Sequence, residues 1–142
     1  MFEVRIQPQS FDLAAEHARL AGHSPAIGAV VAFTGQVRAT PLELEHWPGM
    51  AERQMRHLLD EARARWPLAG AIVVHRFGRL EVGEPIVLVA TASAHRAPAF
   101  AAAEFLMDWL KTRAPFWKRE PDGSWVEARA SDEAAAARWE QA

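Results

Sequence analysis

The chain has 142 residues, of which half are apolar and 24% are charged, with a formal net charge of −2 at pH 7. This length and composition are typical of one globular domain and exclude a disordered chain, while the lack of net positive charge argues against nucleic-acid binding. Cysteine is absent, which excludes disulfides, iron–sulfur clusters, thiolate zinc sites and a cysteine nucleophile on this chain.

The sequence of the first half of the chain predicts a mixture of strands and helices. Ser10 is expected to cap the first helix and Gly22 to end it. Gly28 and Gly35 lie inside a β-branched strand, where they indicate bends or close backbone approach. In chain order the predicted elements are a strand from Phe2 to Ile6, a helix over about 11–21, a strand over 26–37, a strand over 42–46 and a helix over about 50–65.

The second half continues in the same mixed way. Pro98 is well placed as the first residue of a helix, and Pro115 is expected to stop that helix. The predicted elements are a strand over 71–77, a hairpin over 78–84, a strand over 86–92, a helix from Pro98 to about Arg113, an extended segment over 116–120, a turn over 121–124, a strand over 125–129 and a helix from Ser131 through Trp139. Because strands and helices do not alternate strictly, the pattern indicates a single α+β domain over 1–142, largely antiparallel.

The sequence also favours a cytoplasmic location. No apolar run approaches the length that spans a bilayer. The first residues alternate like a strand and lack the basic and apolar regions of a signal peptide.

The basic residues are distributed unevenly, with 14 arginines and only two lysines, Lys111 and Lys118. Lys111 falls in the last turn of a predicted helix, and Lys118 follows the Pro115 break on a strand. Two ammonium groups that lie close together lower each other's pKa, so one of them can serve as a neutral base or nucleophile near pH 7. The alternative is that Lys111 complements the helix dipole and Lys118 is a solvated strand residue.

Two further segments predict anion binding. His95 and Arg96 stand at a strand-to-helix junction, where free backbone N–H groups favour an anion. Arg38 ends a strand and is placed to clamp a phosphate or carboxylate, although a strand-end arginine is commonly a surface residue. From the residues alone, the chain is a small enzyme or binding module whose basic pocket takes a compact, phosphorylated anion and consists of Arg38, His95, Arg96, Lys111, Lys118 and Arg119.

Other kinds of site find no support in the sequence. No His-x-x-x-His pair, carboxylate cluster or dinucleotide glycine motif occurs, so neither a metal nor a nucleotide cofactor is expected. His46 and His75 end or interrupt apolar strands and are expected to be packed or interface residues rather than ligands.

Five motifs occur together and in order along the chain: Phe33–Arg38, Leu44–Met50, His75–Gly78, Ser93–Arg96 and Leu110–Lys111 with Trp117–Glu120. Together they resemble the motifs of a known family, the large, catalytic subunit of molybdopterin synthase. The resemblance runs from the first strand to the last helix.

The resemblance implies an α/β hammerhead fold with an additional antiparallel β subdomain. It also implies an activity, the insertion of two sulfur atoms into cyclic pyranopterin monophosphate to form the dithiolene of molybdopterin, without a cofactor. The sulfur is expected to arrive as a thiocarboxylate on the C-terminal Gly-Gly tail of a small ubiquitin-like subunit. Two large subunits are expected to form the central homodimer of a heterotetramer, with a small subunit at each end.

The resemblance also assigns roles to residues of this sequence. Lys111 and Lys118 match the catalytic lysines, with Lys111 beside the thiocarboxylate carbonyl and Lys118 in acid–base work at the pterin. Arg38, His95 and Arg96 are expected to hold the cyclic phosphate, some of them reaching across the dimer. The substrate-binding positions are Gln36, Val37, Arg38, His95, Arg96, Lys111, Lys118, Arg119 and Glu120.

The sequence departs from the family pattern in two places. Only residues 39–43 join Arg38 to Leu44, where relatives usually have a longer loop, and Trp47 replaces a usual tyrosine. A noncatalytic scaffold or anionic-ligand sensor, which has lost activity through the short loop, is therefore the alternative function. A generic lysine-dependent acyl or phosphoryl transferase is a more distant one.

Overall fold

This computed structural model describes residues 1–112, 116–119, 125–126 and 130–141, and gives the backbone alone for 117–119, 125–126, 130–133 and 141. The strands in these ranges are β1 Phe2–Gln7, β2 Ala29–Gln36, β3 Leu42–His46, β4 Leu68–Arg76, β5 Gly78–Leu80, β6 Pro85–Ser93, β7 Phe116–Arg119 and β8 Trp125–Val126. The helices are α1 Leu13–Ala21, α2 Met50–Arg65, α3 Arg96–Thr112 and α4 Ala130–Ala137, the last followed by a 3-10 turn, Arg138–Gln141.

The larger sheet has the strand order β1-β4-β6-β2 and is covered by helices on both faces. β1 pairs with β4 in parallel, whereas the β4–β6 and β6–β2 pairs are antiparallel. The central strands β4 and β6 are buried along most of their length and read as nearly continuous apolar runs. Such runs are expected of strands that have a packed layer on each side.

Successive side chains of these central strands enter two different cores. Val73 and Val89 pack in the core that includes α2 and α3, while Ile72 and Leu88 pack in the core that includes Leu20 of α1. This alternation follows from the two-residue period of a β-strand. Helices therefore pack against both faces of the sheet.

The smaller sheet has the order β5-β3-β7-β8 and is antiparallel throughout. A third apolar cluster, formed by Val37, Leu44 and Leu80, joins it to the end of β2. The α+β class and the additional antiparallel subdomain, both expected from the sequence, are confirmed.

Two local predictions about helix ends are wrong. Asp12 rather than Ser10 caps α1, because its carboxylate accepts a hydrogen bond from the backbone N–H of Ala15 at 3.2 Å. Helix α3 begins at Arg96, so Pro98 is its third residue and not its first.

The predicted hairpin over 78–84 is confirmed, because this segment joins the antiparallel strands β4 and β6, and Gly78 and Gly83 have the expected positive φ of 92° and 90°. Within it, Gly78–Leu80 also pairs with β3.

The prediction that glycines in β2 and just before it mark close backbone approach or a bend is confirmed. A Cβ atom added at Gly28 would clash with the carbonyl oxygen of Ala94. At Gly35 it would lie 3.0 Å from a methyl of Val87, and the strand register shifts between Gly35 and Gln36. The absence of a side chain at Gly28 therefore lets the chain just before β2 pack closely against Ala94, in the junction that leads into α3.

Candidate active site

Val37, which follows the last residue of β2, is anchored in the fold by its side chain and by its backbone. Its side chain is buried with Leu44 and Leu80. Its N–H donates to the carbonyl of Glu84 at 3.0 Å, and its carbonyl accepts from the N–H of Gly83 at 2.8 Å. Val37 is thus placed to hold its neighbours in position rather than to present its own groups to a ligand.

The two neighbours of Val37, Gln36 and Arg38, are both exposed. On the far side of Arg38 the chain makes a tight three-residue turn, in which the N–H of Thr40 donates to the carbonyl of Arg38 at 2.8 Å. Its central residue, Ala39, has a φ of 70° and is the one non-glycine residue with positive φ in the described ranges. This γ-turn makes the short connection to β3 possible. It also fixes the backbone after Arg38, as the hydrogen bonds of Val37 fix the backbone before it.

Strand β7 carries the backbone of Lys118 to the same end of the molecule. Lys118 lies opposite Leu44 in the antiparallel β3–β7 pair. Residues opposite each other in such a pair have Cα atoms about 4.5–5.5 Å apart. Because Leu44 packs against Val37, the backbone of Lys118 lies one strand away from the segment that carries Arg38.

A cluster of aromatic rings fixes the start of β7. The ring of Phe116 stacks on His75, with centroids 3.6 Å apart and an interplanar angle of 14°. His46 packs on Phe77 at 4.4 Å and lies 6.0 Å from Phe116. The Nδ1 atom of His75 lies 2.8 Å from the carbonyl of Arg76, to which it must donate. Both histidines are therefore packed residues, as predicted.

Replacing Phe116 with alanine is expected to lower the free energy of unfolding by about 2–3 kcal/mol, because the substitution removes a half-buried ring and its stacking partner's contact. Urea denaturation measures the change. Phe33→Ala, on an exposed ring of edge strand β2, is the size-matched control and should cost less than about 1 kcal/mol. Equal losses in the two variants would contradict the anchoring role of Phe116.

Lys111 occupies the last turn of α3, as predicted, and its side chain is exposed. The residue before it, Leu110, is buried in the core against which Phe116 also packs. The end of α3 and the start of β7 are therefore held by one core. The side chain of Lys118 lies outside the described residues, as does Glu120, so the prediction that the two amines share a pocket stays a prediction.

His95 and Arg96 lie at the opposite end of α3. Only two residues separate β6 from α3, and the helix packs on β6 and β2, so it runs back along the sheet. From Arg96 to Lys111 the helix rises roughly 22 Å at about 1.5 Å per residue. The sequence-based prediction of one pocket containing all these cations is therefore wrong for a single chain.

The strand pairing gives the same separation independently. Ala29 lies opposite Ser93 in the β2–β6 pair, and the N–H of Gly28 donates to the carbonyl of Ser93 at 3.0 Å. Gln36 lies at the other end of β2, roughly 23 Å away at about 3.3 Å per residue. One end of the sheet thus carries His95 and Arg96, and the other carries Gln36, Arg38 and Lys111.

The cations at both ends differ from most others in the described part of the chain. Of the eleven arginines whose side chains the structure describes, eight form an ion pair, a hydrogen bond or a contact with an aromatic ring. Hydrogen bonds with Glu3, Glu81 and Glu104 raise the pKa values of the Arg19, Arg79 and Arg138 guanidinium groups, respectively.

Three described arginines, by contrast, have no such partner within the described ranges: Arg38, Arg53 and Arg96. Lys111 likewise makes no hydrogen bond or ion pair there. Arg38, Arg96 and Lys111 are exposed cations with free donors, which is the arrangement that an anionic ligand requires.

The described residues contain no group of three or more histidine, aspartate or glutamate side chains placed to hold a metal ion. In the same ranges, no helix has the length and apolar character needed to cross a membrane.

The sequence analysis assigned no role to Arg76 or Phe116, although both residues pack beside segments that carry the predicted site residues. Arg76 had a detectable signal, because a charged residue that ends an apolar strand is seldom buried without partners. Phe116 had none beyond its position between the two lysines, since its stacking partner His75 is 41 positions earlier in the chain.

The fold and these cations define an α+β protein that presents donors for a small anion at two separate ends of one sheet. The sequence model of the MoaE protein family matches residues 6–113. The chain belongs to the MoaE family.

Relatives and solved structures agree with this assignment. The molybdopterin synthase catalytic subunit of Mesorhizobium japonicum is 53% identical, with 96% of this chain and 92% of that protein covered. The subunit of the same name from Escherichia coli is 50% identical, with 96% and 97% covered. The molybdopterin biosynthesis MoaE protein of Burkholderia ambifaria is 51% identical with a TM-score of 0.88, covering 99% of both chains. A molybdopterin synthase structure from Staphylococcus aureus is 31% identical with a TM-score of 0.75, covering 86% of this chain and 90% of that one.

Proposed function

We propose that this chain is the catalytic subunit of a molybdopterin synthase. It transfers sulfur from the C-terminal thiocarboxylate of a small ubiquitin-like carrier to cyclic pyranopterin monophosphate and so forms the molybdopterin dithiolene. The observation that carries this proposal is identity of about half the residues over nearly the whole chain to proteins named as that subunit. The lack of cysteine is consistent with it, because sulfur that a carrier delivers requires no thiol on this chain.

The separation of the cations supports an assembly in which two copies complete each other's sites. Arg96 and Lys111 of one chain are too far apart to hold one small substrate. In a two-fold symmetric dimer, however, the same surface of each copy faces the other, so each can contribute one end of its sheet to its partner. We therefore place His95 and Arg96 of one copy beside Arg38, Lys111 and Lys118 of the other, with a carrier subunit at each end of this central dimer.

Within that composite site we assign each residue the role that the family resemblance implies. Lys111 stabilises the negative charge that develops at the thiocarboxylate carbonyl, or transfers a proton there. Lys118 does related acid–base work at the pterin. Arg38, His95 and Arg96 hold the cyclic phosphate through charge-assisted hydrogen bonds. Gln36, Arg119 and Glu120 complete the binding surface, and Val37 supports it from the core.

The short connection after Arg38 does not favour the noncatalytic alternative. The γ-turn at Ala39 closes the connection while Arg38 stays exposed, so the shorter loop still presents the guanidinium. Both lysines are retained as well. The catalytic function is the one that these residues support.

We place the reaction in the cytoplasm. A chain without cysteine needs no oxidising compartment to fold, which fits a reducing environment.

Reconstitution tests the proposed function. The purified chain is mixed with thiocarboxylated carrier and cyclic pyranopterin monophosphate, and sulfur incorporation is followed by mass spectrometry of the pterin. We expect a dithiolene product with the thiocarboxylated carrier and none with a carrier that ends in an ordinary carboxylate. Binding of the pterin without sulfur incorporation would contradict the proposal and favour the sensor.

A further inference from the structure

Arg76, at the end of β4, is buried, with only 6% of its surface exposed. Its guanidinium contacts three acceptors, two backbone carbonyls and one carboxylate. Its Nε and Nη2 atoms donate to the carbonyl of Pro8 at 3.2 and 3.0 Å. Its Nη1 atom donates to the carbonyl of Pro85 at 2.9 Å and lies 3.6 Å from a carboxylate oxygen of Glu84. The fork of donors thus joins the start of β6 to the chain that follows β1.

On the β6 side Arg76 contacts residues 84 and 85, and this segment pairs with the end of β2, where the predicted binding residues begin. Pro85 lies opposite Gln36 in the β2–β6 pair. The carbonyl of Glu84 accepts from the N–H of Val37, and the N–H of Gly83 donates to the carbonyl of Val37. Residues 83–85 therefore pair directly with Gln36 and Val37, and they support Arg38 through Val37, the residue before it.

Glu84 links the guanidinium to the shape of this turn. Its second carboxylate oxygen accepts from the N–H of Glu81 at 2.6 Å, and its own N–H donates to the carbonyl of Glu81 at 3.1 Å. The turn over 81–84 is closed by these two bonds. Arg76 supplies the positive charge beside the carboxylate that makes one of them.

We propose that Arg76 is a positioning residue for substrate binding, which fixes Gln36 and Arg38 through the 83–85 segment. It does not itself touch the substrate. The proposal rests on the proposed function, because it takes Gln36 and Arg38 to bind cyclic pyranopterin monophosphate. A residue that only stabilised the fold would lower the melting temperature without changing the affinity for this substrate.

The test compares Arg76→Gln and Arg76→Lys with Leu20→Ala in the assembled enzyme with thiocarboxylated carrier. Leu20 is fully buried in the core on the α1 face, so its replacement destabilises the fold away from Gln36 and Arg38. We expect Arg76→Gln to raise KM for the pterin about tenfold with kcat within about threefold of the unaltered enzyme. Arg76→Lys keeps the charge but not the fork and should give a smaller increase in KM. Leu20→Ala should lower the melting temperature and leave KM unchanged.

A KM for Arg76→Gln that equals that of the unaltered enzyme, or that changes no more than in Leu20→Ala, would overturn the proposal. If Arg76→Gln does not fold, Glu84→Gln takes its place, since Glu84 is partly exposed and its replacement removes only the ion pair and weakens the turn. Its KM is then expected to rise about threefold, and an unchanged KM would overturn the proposal.

Hydrogen exchange separates this proposal from the proposed function. The amide of Val37 is expected to exchange about tenfold faster in Arg76→Gln than in the unaltered chain, whether or not the enzyme turns over. If the unaltered enzyme forms no product, the proposed function fails, and the exchange rate still reports on the support of Arg38. Unchanged protection of the Val37 amide would overturn the positioning role.

Discussion

Replacing Lys111 with alanine is expected to lower turnover of cyclic pyranopterin monophosphate by at least about 10²-fold, the usual cost of losing a general acid–base or oxyanion-stabilising group. The fold should be unaffected, because Lys111 is exposed and makes no hydrogen bond or ion pair in the described part of the chain. Binding of the carrier should also persist. Single-turnover assays with thiocarboxylated carrier measure the effect, with thermal denaturation and carrier binding measured in parallel.

Two further variants test the role of Lys111 more specifically. Arg56→Ala removes an exposed helical cation whose ion pair with Glu52 is long, at 3.4 Å, and should leave turnover unchanged. Lys111→Arg keeps the positive charge but cannot donate a proton near pH 7, so it separates charge stabilisation from proton transfer. Unchanged turnover in Lys111→Ala would contradict the catalytic role of this residue.

Replacing Arg96 with alanine is expected to raise KM for the pterin by about 10- to 100-fold, because a hydrogen bond to a charged group contributes about 1.5–3 kcal/mol. Arg96 is exposed at the start of α3 and has no partner in the described ranges, so its loss should not destabilise the chain. Steady-state kinetics at varied pterin concentration measure KM, and thermal denaturation checks the fold.

Arg53 provides the matched control for Arg96. Like Arg96 it is exposed and lacks a partner in the described part of the chain, but it lies outside the proposed site. Arg53→Ala should therefore leave KM unchanged. A similar rise in KM in both variants would show that net charge, and not a contact at Arg96, determines the affinity.

Much of the fold is predictable from local patterns. The apolar runs in β4 and β6 and the apolar stripe of α2 predict buried elements, because burial on both faces or on one stripe leaves a direct periodic signal. The placement of Lys111 in the last helical turn is predictable for the same reason. Helix starts are less certain, since Ser10 and Asp12 are both good caps and only the structure shows that Asp12 makes the hydrogen bond.

The site itself is less predictable, for two different physical reasons. The separation of Arg96 from Lys111 can be predicted from the length of the helix, because a rise of about 1.5 Å per residue places the two residues too far apart to share one pocket. The contacts of Arg76 cannot be predicted from the sequence, because its acceptors are the backbone carbonyls of Pro8 and Pro85, and every residue has a backbone carbonyl. Motifs reveal which side chains carry chemistry but not which distant backbone supports them.

The most direct test of the composite site is a hybrid dimer. A chain with Lys111→Ala and a chain with Arg96→Ala carry different tags and are co-expressed, and the hybrid is purified through both tags. In a two-fold dimer whose sites combine both chains, one site of the hybrid has both substitutions and the other has neither.

We expect this hybrid to show about half the turnover of the unaltered dimer when assayed at pterin concentrations below KM, because one of its two sites is intact. Each parent variant should be nearly inactive under the same conditions. A hybrid as inactive as its parents would contradict the account, since it would mean that Lys111 and Arg96 of the same chain serve the same site.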